Sequence, residues 1–143
     1  MKHINTDTII KYLFLFLFGG TIYYFLEIAF RGFSHFSMLL CGGLAFVFIG
    51  ALNQSPNRNL SLLTQMVLGS LIITGLEFVT GVIVNLILHW NVWDYSLEPY
   101  NLFGQICLAY SNLWFLLSLV CIVLDDFVRN FVFDEAFPQY HII

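Results

Sequence analysis

Four long apolar stretches follow one another along the chain, Ile9 to Phe30, Phe36 to Leu52, Leu62 to Leu88 and Leu102 to Leu124, each bounded by charge or turn chemistry. Crossing a hydrocarbon core about 30 Å thick takes about 20 residues of helix, since an unpaired backbone group there costs several kcal/mol. The pattern predicts an all-α polytopic membrane protein, one domain over residues 1–143 with four transmembrane helices in two hairpins. Between the first two spans, Arg31-Gly32-Phe33-Ser34-His35 offers a glycine for a tight turn and Ser34 as the N-cap of the second helix. The second span is the shortest. The third is longer than the core requires, so it must tilt, kink or emerge at one end. Asn53 to Asn59 is the polar connection between the hairpins.

Composition sharpens the class. Apolar residues make up 59% of the chain and charged residues 10%, against about 25% charged in a soluble domain. Mean hydropathy is +0.85. So little basic surface excludes nucleic acid as a partner, and so little polarity excludes disorder. The bilayer itself is the expected partner. Of the basic residues, Lys2, Lys11, Arg58 and Arg129 fall on one side of the predicted spans and Arg31 on the other. The charge bias then places both termini in the cytoplasm of a multi-pass cell-membrane protein. The loop His89 to Asn101, with Asp94 and Glu98 and no basic residue, falls outside. The run after Lys11 is too long for a secretory signal core, and no small-residue cleavage site follows it. Cys41, Cys107 and Cys121 all fall inside predicted spans and read as small buried residues.

Helical spacing gathers the polar residues into stripes. Gly20, Tyr24, Glu27 and Arg31 share a face of the first span; Ser70, Thr74, Glu77, Gly81 and Asn85 share one of the third; Asn101, Gln105, Leu108 and Asn112 share one of the fourth. Such stripes turn inward, because a glutamate facing lipid costs about 2.5–3.5 kcal/mol. Glu27 precedes Arg31 by four residues, the favourable order for a helical ion pair. Glu77 has no such neighbour in sequence. It is left to be protonated, to bond Asn85, Asn101 or Gln105 across helices, or to share Arg31. Counted from the cytoplasmic ends, both glutamates lie in the outer half of the membrane. In the second span Gly42, Gly43, Ala45 and Gly50 suit close helix packing. Placing residues 19–32 over 69–82 aligns Gly19, Ile22, Leu26 and Glu27 with Gly69, Ile72, Leu76 and Glu77, which suggests a two-span internal repeat.

The loop His89 to Asn101 has two readings. Trp90, Trp93, Tyr95 and Tyr100 suit an interfacial aromatic belt, with Asp94 and Ser96 in a local turn. Alternatively the loop is a lid that sets Trp93 and Asp94 over the two glutamates. The candidate ligand-binding residues are therefore Glu27, Arg31, Glu77, Asn85, Trp93, Asp94, Asn101 and Gln105. Ser111 and Asn112 read as packing residues, and Asp125, Asp126 and Arg129 as a solvated group closing the fourth helix. No metal-ligand spacing, nucleophile motif or phosphate cradle is visible, so no catalytic residue, metal or cofactor is expected.

Three functions stay open. The first is a transport or small-solute-binding component whose outer site takes a small polar or cationic solute, with the glutamates as counter-charges. The second is a membrane enzyme acting on a lipid or cell-wall precursor. The third is a structural subunit, in which polar residues act only as interhelical glue. Four spans are few for a complete carrier, so a homo-oligomer or a partner membrane subunit is expected.

The chain resembles a family of small bacterial membrane proteins, the CmpB-like ABC-transporter type IV family. The matching stretches are Arg31-Gly32-Phe33-Ser34-His35, Gly42-Gly43, Leu76-Glu77-Phe78 with Thr80-Gly81 and Asn85, Val92-Trp93-Asp94-Tyr95-Ser96 with Pro99 and Asn101, Gly104-Gln105-Ile106-Cys107, and Leu124-Asp125-Asp126. The resemblance covers nearly the whole chain and implies a permease. The nine-residue connection Asn53 to Ser61 is too short for the coupling helix that an ATPase subunit would grip.

Overall fold

A computed structural model describes residues 5–54 and 59–143. Lys2 and Arg58, two of the residues that set the expected orientation, lie outside the described residues, as does most of the connection after Asn53. Helix α1 spans Thr6–Arg31, α2 Phe36–Ala51, α3 Leu62–Gly81 and α4 Leu108–Phe133. A π-helical turn, Val82–Ile87, continues α3, and a two-residue-per-strand antiparallel hairpin, β1 Asn101–Leu102 and β2 Ile106–Cys107, precedes α4. Three helical stretches, Thr6–Arg31, Leu62–Ile87 and Leu108–Phe133, are long and apolar enough to cross a membrane, and α2 is a shorter apolar helix.

Local chemistry explains most of the element ends. Gly32 closes α1 with φ +80°, a conformation in which a side chain is strained. The N-cap of α2 is His35, not Ser34: the imidazole accepts the Ser37 N–H, while Ser34 Oγ turns back to donate to Glu27. Ser61 caps α3 by accepting the Thr64 N–H. The last part of the third span is a π turn, which slips the hydrogen-bond register and sends the Leu88 N–H to the Ile83 carbonyl.

The fourth span is where expectation and structure part. It begins at Leu108 rather than Leu102 and runs on to Phe133 rather than Leu124. Leu102 and Phe103 belong to the hairpin despite being apolar, so Asn101 and Gln105 sit on strands and turns and share no helical stripe with Asn112. Cys107 likewise lies in β2, buried but ahead of the helix. The far end extends because Asp125, Asp126 and Arg129 are buried rather than solvated.

Helix α2, though shortest, is the hub. It packs on α1, α3 and α4, while α1 packs chiefly on α2, and α3 on α4. Its glycines permit this: a Cβ on Gly43 would stand 2.7 Å from the Phe16 carbonyl oxygen of α1, and one on Gly50 2.3–2.5 Å from the Asp125 carboxylate of α4. Around Gly50 lies a closed polar cluster. Arg129 Nε donates to Asp125 Oδ2 at 2.7 Å, both side chains almost fully buried, and its guanidinium lies over the Tyr12 ring. Asp126 accepts from Asn53 at 2.7 Å and from Tyr140 at 2.6 Å. Glu135 pairs with Lys11 and with Arg129. The segment after α4 thus folds back over this end, where the carbonyls of His141 and Ile142 accept the Leu62 and Leu63 N–H groups at the start of α3.

Candidate functional site

At the opposite end the helices part. Near Asp125, α1 and α4 touch through Phe14 and Phe133, whose rings meet edge to face at 5.7 Å, and through Leu15 and Val128 in one buried cluster. Toward the other end the two helices border a cavity of about 330 Å³. Tyr23, Leu26, Glu27, Phe30 and Arg31 line it from α1, and Tyr110, Leu113, Trp114 and Leu117 from α4. Both sets follow helical spacing, so each is one continuous face. Met38 of α2 and Trp93 and Tyr95 of the loop complete the wall.

The charged side comes from α1. Glu27 is 8% exposed and accepts from Arg31 Nη2 at 2.6 Å and from Ser34 at 3.3 Å. Arg31 also donates to the Val92 carbonyl at 3.3 Å and lies over the Phe33 ring, which ties the loop to the end of α1.

The facing side is aromatic. Tyr95 stacks on Tyr110 at 4.7 Å, Tyr110 leans on Trp114, and Trp114 meets Tyr23 edge to face at 6.1 Å. Glu77, 2% exposed, is held by this wall: Tyr95 OH donates to one carboxylate oxygen and Trp114 Nε1 to the other, both at 2.9 Å. These partners differ from all those the spacing suggested. Asn85, Asn101, Gln105 and Arg31 make no hydrogen bond to Glu77 among the described residues. Two neutral donors satisfy a carboxylate without cancelling its charge. Burial and the Glu77 carboxylate both push the Tyr95 phenol up, so it remains a donor.

The rest of the loop is held by a second set of the predicted residues. Asn85, turned inward by the π turn, donates to Gln105 at 2.8 Å and accepts the Val92 N–H at 2.7 Å. Trp93 donates its indole N–H to the Gln105 carbonyl and packs with Met38 and Val84. Gly81 makes room for both, because a Cβ there would stand 2.6 Å from Gln105 Oε1 and 2.9 Å from Trp93. Asn85 and Gln105 are thus a clip that positions Trp93 and Tyr95, and neither lines the cavity.

Asp94 and Asn101 lie farther out. Asp94 is exposed and accepts the Ser96 N–H, which holds its carboxyl below the usual range. Of the lid pair, Trp93 alone lines the cavity. Asn101 bonds the carbonyls of Ser96 and Glu98 and accepts the Gly104 N–H, closing the turn. Nearer the middle of the bundle, Ser70 and Thr74 bond Ser111, a packing contact, whereas Asn112 is exposed. Sequence reasoning missed Tyr23, Tyr110 and Trp114, and gave Tyr95 to the membrane interface.

Apolar helices of spanning length, wrapped on a shorter one and enclosing paired charges, define an integral membrane protein of the helical class. Residues 14–139 match the family described as "Putative ABC-transporter type IV", and the chain belongs to that family. Neither the curated proteins nor the solved structures contain a match to it.

Proposed function

We propose that this protein is the membrane component of a transport or solute-binding system, and that the cavity between α1 and α4 is its site for a small organic cation. All four helices lie in the bilayer as two hairpins, both termini face the cytoplasm, and the cavity opens in the outer half. The observation that carries the reading is the composition of the cavity wall. Glu27 stands in that wall with the aromatic residues Tyr23, Trp93, Tyr95, Tyr110 and Trp114, and directly behind it Tyr95 and Trp114 hold a second buried glutamate, Glu77, which has no basic partner among the described residues. Ring faces and an uncompensated carboxylate both favour a weakly hydrated cation. Arg31 fixes Glu27 and leaves the set about one negative charge in excess. The family's transporter label agrees with such a site. With four helices, a second copy or a partner subunit completes the pathway.

The test is binding of tetramethylammonium to the protein in lipid nanodiscs. Saturable binding that is lost in Glu77→Gln and retained in Asp94→Asn is expected. Binding that ignores Glu77→Gln, or no binding at all, removes the cation site.

A further inference from the structure

The cavity does not end at its aromatic floor. Below Tyr23 and Trp114 a second cavity of about 100 Å³ continues between α1 and α4, backed by α2 from Met38 to Ile49, and runs past Leu117 and Val120 to Cys121 and Leu124. Its wall is apolar apart from the upper end, where Glu77 and Tyr23 stand. Tyr23, Leu26, Met38, Trp114 and Leu117 line both cavities, so the two adjoin. The lips of the cleft are apolar as well. Leu26 is 39% exposed, Leu113 42%, Val120 56% and Phe30 87%, all on α1 and α4. A cleft between two membrane-length helices with such lips faces hydrocarbon rather than water.

From this we infer that the ligand is an amphiphilic cation, an ammonium head on a hydrocarbon chain, which enters sideways from the outer leaflet between α1 and α4. This rests on the cation site proposed above. The head sits against Glu27 and the Tyr23, Tyr95 and Trp114 rings, beside the Glu77 carboxylate. The chain lies down the apolar slot toward Val120 and Leu124. Head and chain would then be read by separate parts of one cleft. A hydrophilic cation would fill the upper chamber alone and leave the slot without a partner.

The experiment compares tetramethylammonium with dodecyltrimethylammonium, below its micelle concentration, on the protein in phosphatidylglycerol nanodiscs, with empty nanodiscs subtracted. Dodecyltrimethylammonium is expected to bind at least about tenfold more tightly, a gap set by burial of its chain. Val120→Trp, a position that lines the lower slot alone, should remove that gain and leave tetramethylammonium binding unchanged; Leu124→Trp serves if the first variant misfolds. Equal affinity of the two probes would overturn the lateral amphiphile while keeping the cation site. A chain-length gain that survives both slot variants, or that survives Glu77→Gln, would also overturn it, since the chain would then be partitioning elsewhere. Failure of both probes would remove the cation site itself. Phosphatidylcholine doped into the discs separates two sources of the same head group: competition assigns it to a lipid and lack of competition to a free amphiphile, and both agree with the inference.

Discussion

Glu27–Arg31 near the end of α1 and Asp125–Arg129 near the end of α4 are ion pairs of the same spacing and sign order, yet they stand in opposite surroundings. Asp125 and Arg129 are 0% and 3% exposed, backed by Gly50 and covered by Tyr12, Glu135 and the segment after α4. Arg31 is 30% exposed, and its glutamate borders a cavity. An i, i+4 pair reads the same in any helix, so its spacing alone does not separate a lock from a site. What separates them is what the neighbouring helices bring: a glycine and a returning segment at one end, a splayed cleft with aromatic walls at the other.

Substitutions that break the lock should have the largest effect. Arg129→Met strands Asp125 in a buried position, and unfolding in detergent should show a loss of about 3–5 kcal/mol. A variant as stable as the parent would mean that this end is solvated after all. Next comes Gly50→Ala, whose new methyl meets the Asp125 carboxylate; about 1–3 kcal/mol should be lost, with cation binding at the other end retained. Arg31→Ala should cost less, about 1–2 kcal/mol, because the lost guanidinium is partly exposed and Ser34 still donates to Glu27. A loss as large as that of Arg129→Met would erase the contrast between the two ends.

The smallest effect concerns Tyr140. Burial and its bond to Asp126 raise its phenol above the ordinary value near 10. A raised folded-state value stabilises fully below the unfolded value and is lost as pH rises through the folded one. The stability gap between the parent and Tyr140→Phe should therefore narrow above about pH 10 in thermal melts. A gap that stays constant into the alkaline range would mean that the bond to Asp126 is not made.

How much of this was legible follows from where each signal resides. Helices α1 to α3 are written in uninterrupted apolar runs, and once the π turn is counted with α3 their ends fall within three residues of those read from the chain. Helix α4 was displaced at both ends, for opposite reasons: Leu102 and Phe103 are apolar without being helical, and Asp125 to Arg129 are charged yet buried by one another. The inward stripes of α1 and α3 place Glu27 and Glu77, because helical period is a local property. The partners of Glu77 are not local. Tyr95 is 18 residues away and Trp114 is 37, on two different elements, and no periodicity links them. The surplus of aromatics around Trp93 was the available hint, and it fitted a membrane interface equally well.

The carbonyls of His141 and Ile142 bear on the order of assembly. A helix start has N–H groups with no partner inside the helix, and in α3 those of Leu62 and Leu63 find theirs some 80 residues further along the chain. During synthesis α3 emerges well before those carbonyls exist, so its first turn must wait at the membrane surface on water or head groups. Only after α4 has been made and the chain has turned back over Asp126 is that turn completed. The beginning of the third helix is thus among the later contacts to form, and a fusion partner joined directly after Ile143 would meet the nascent bundle at this joint.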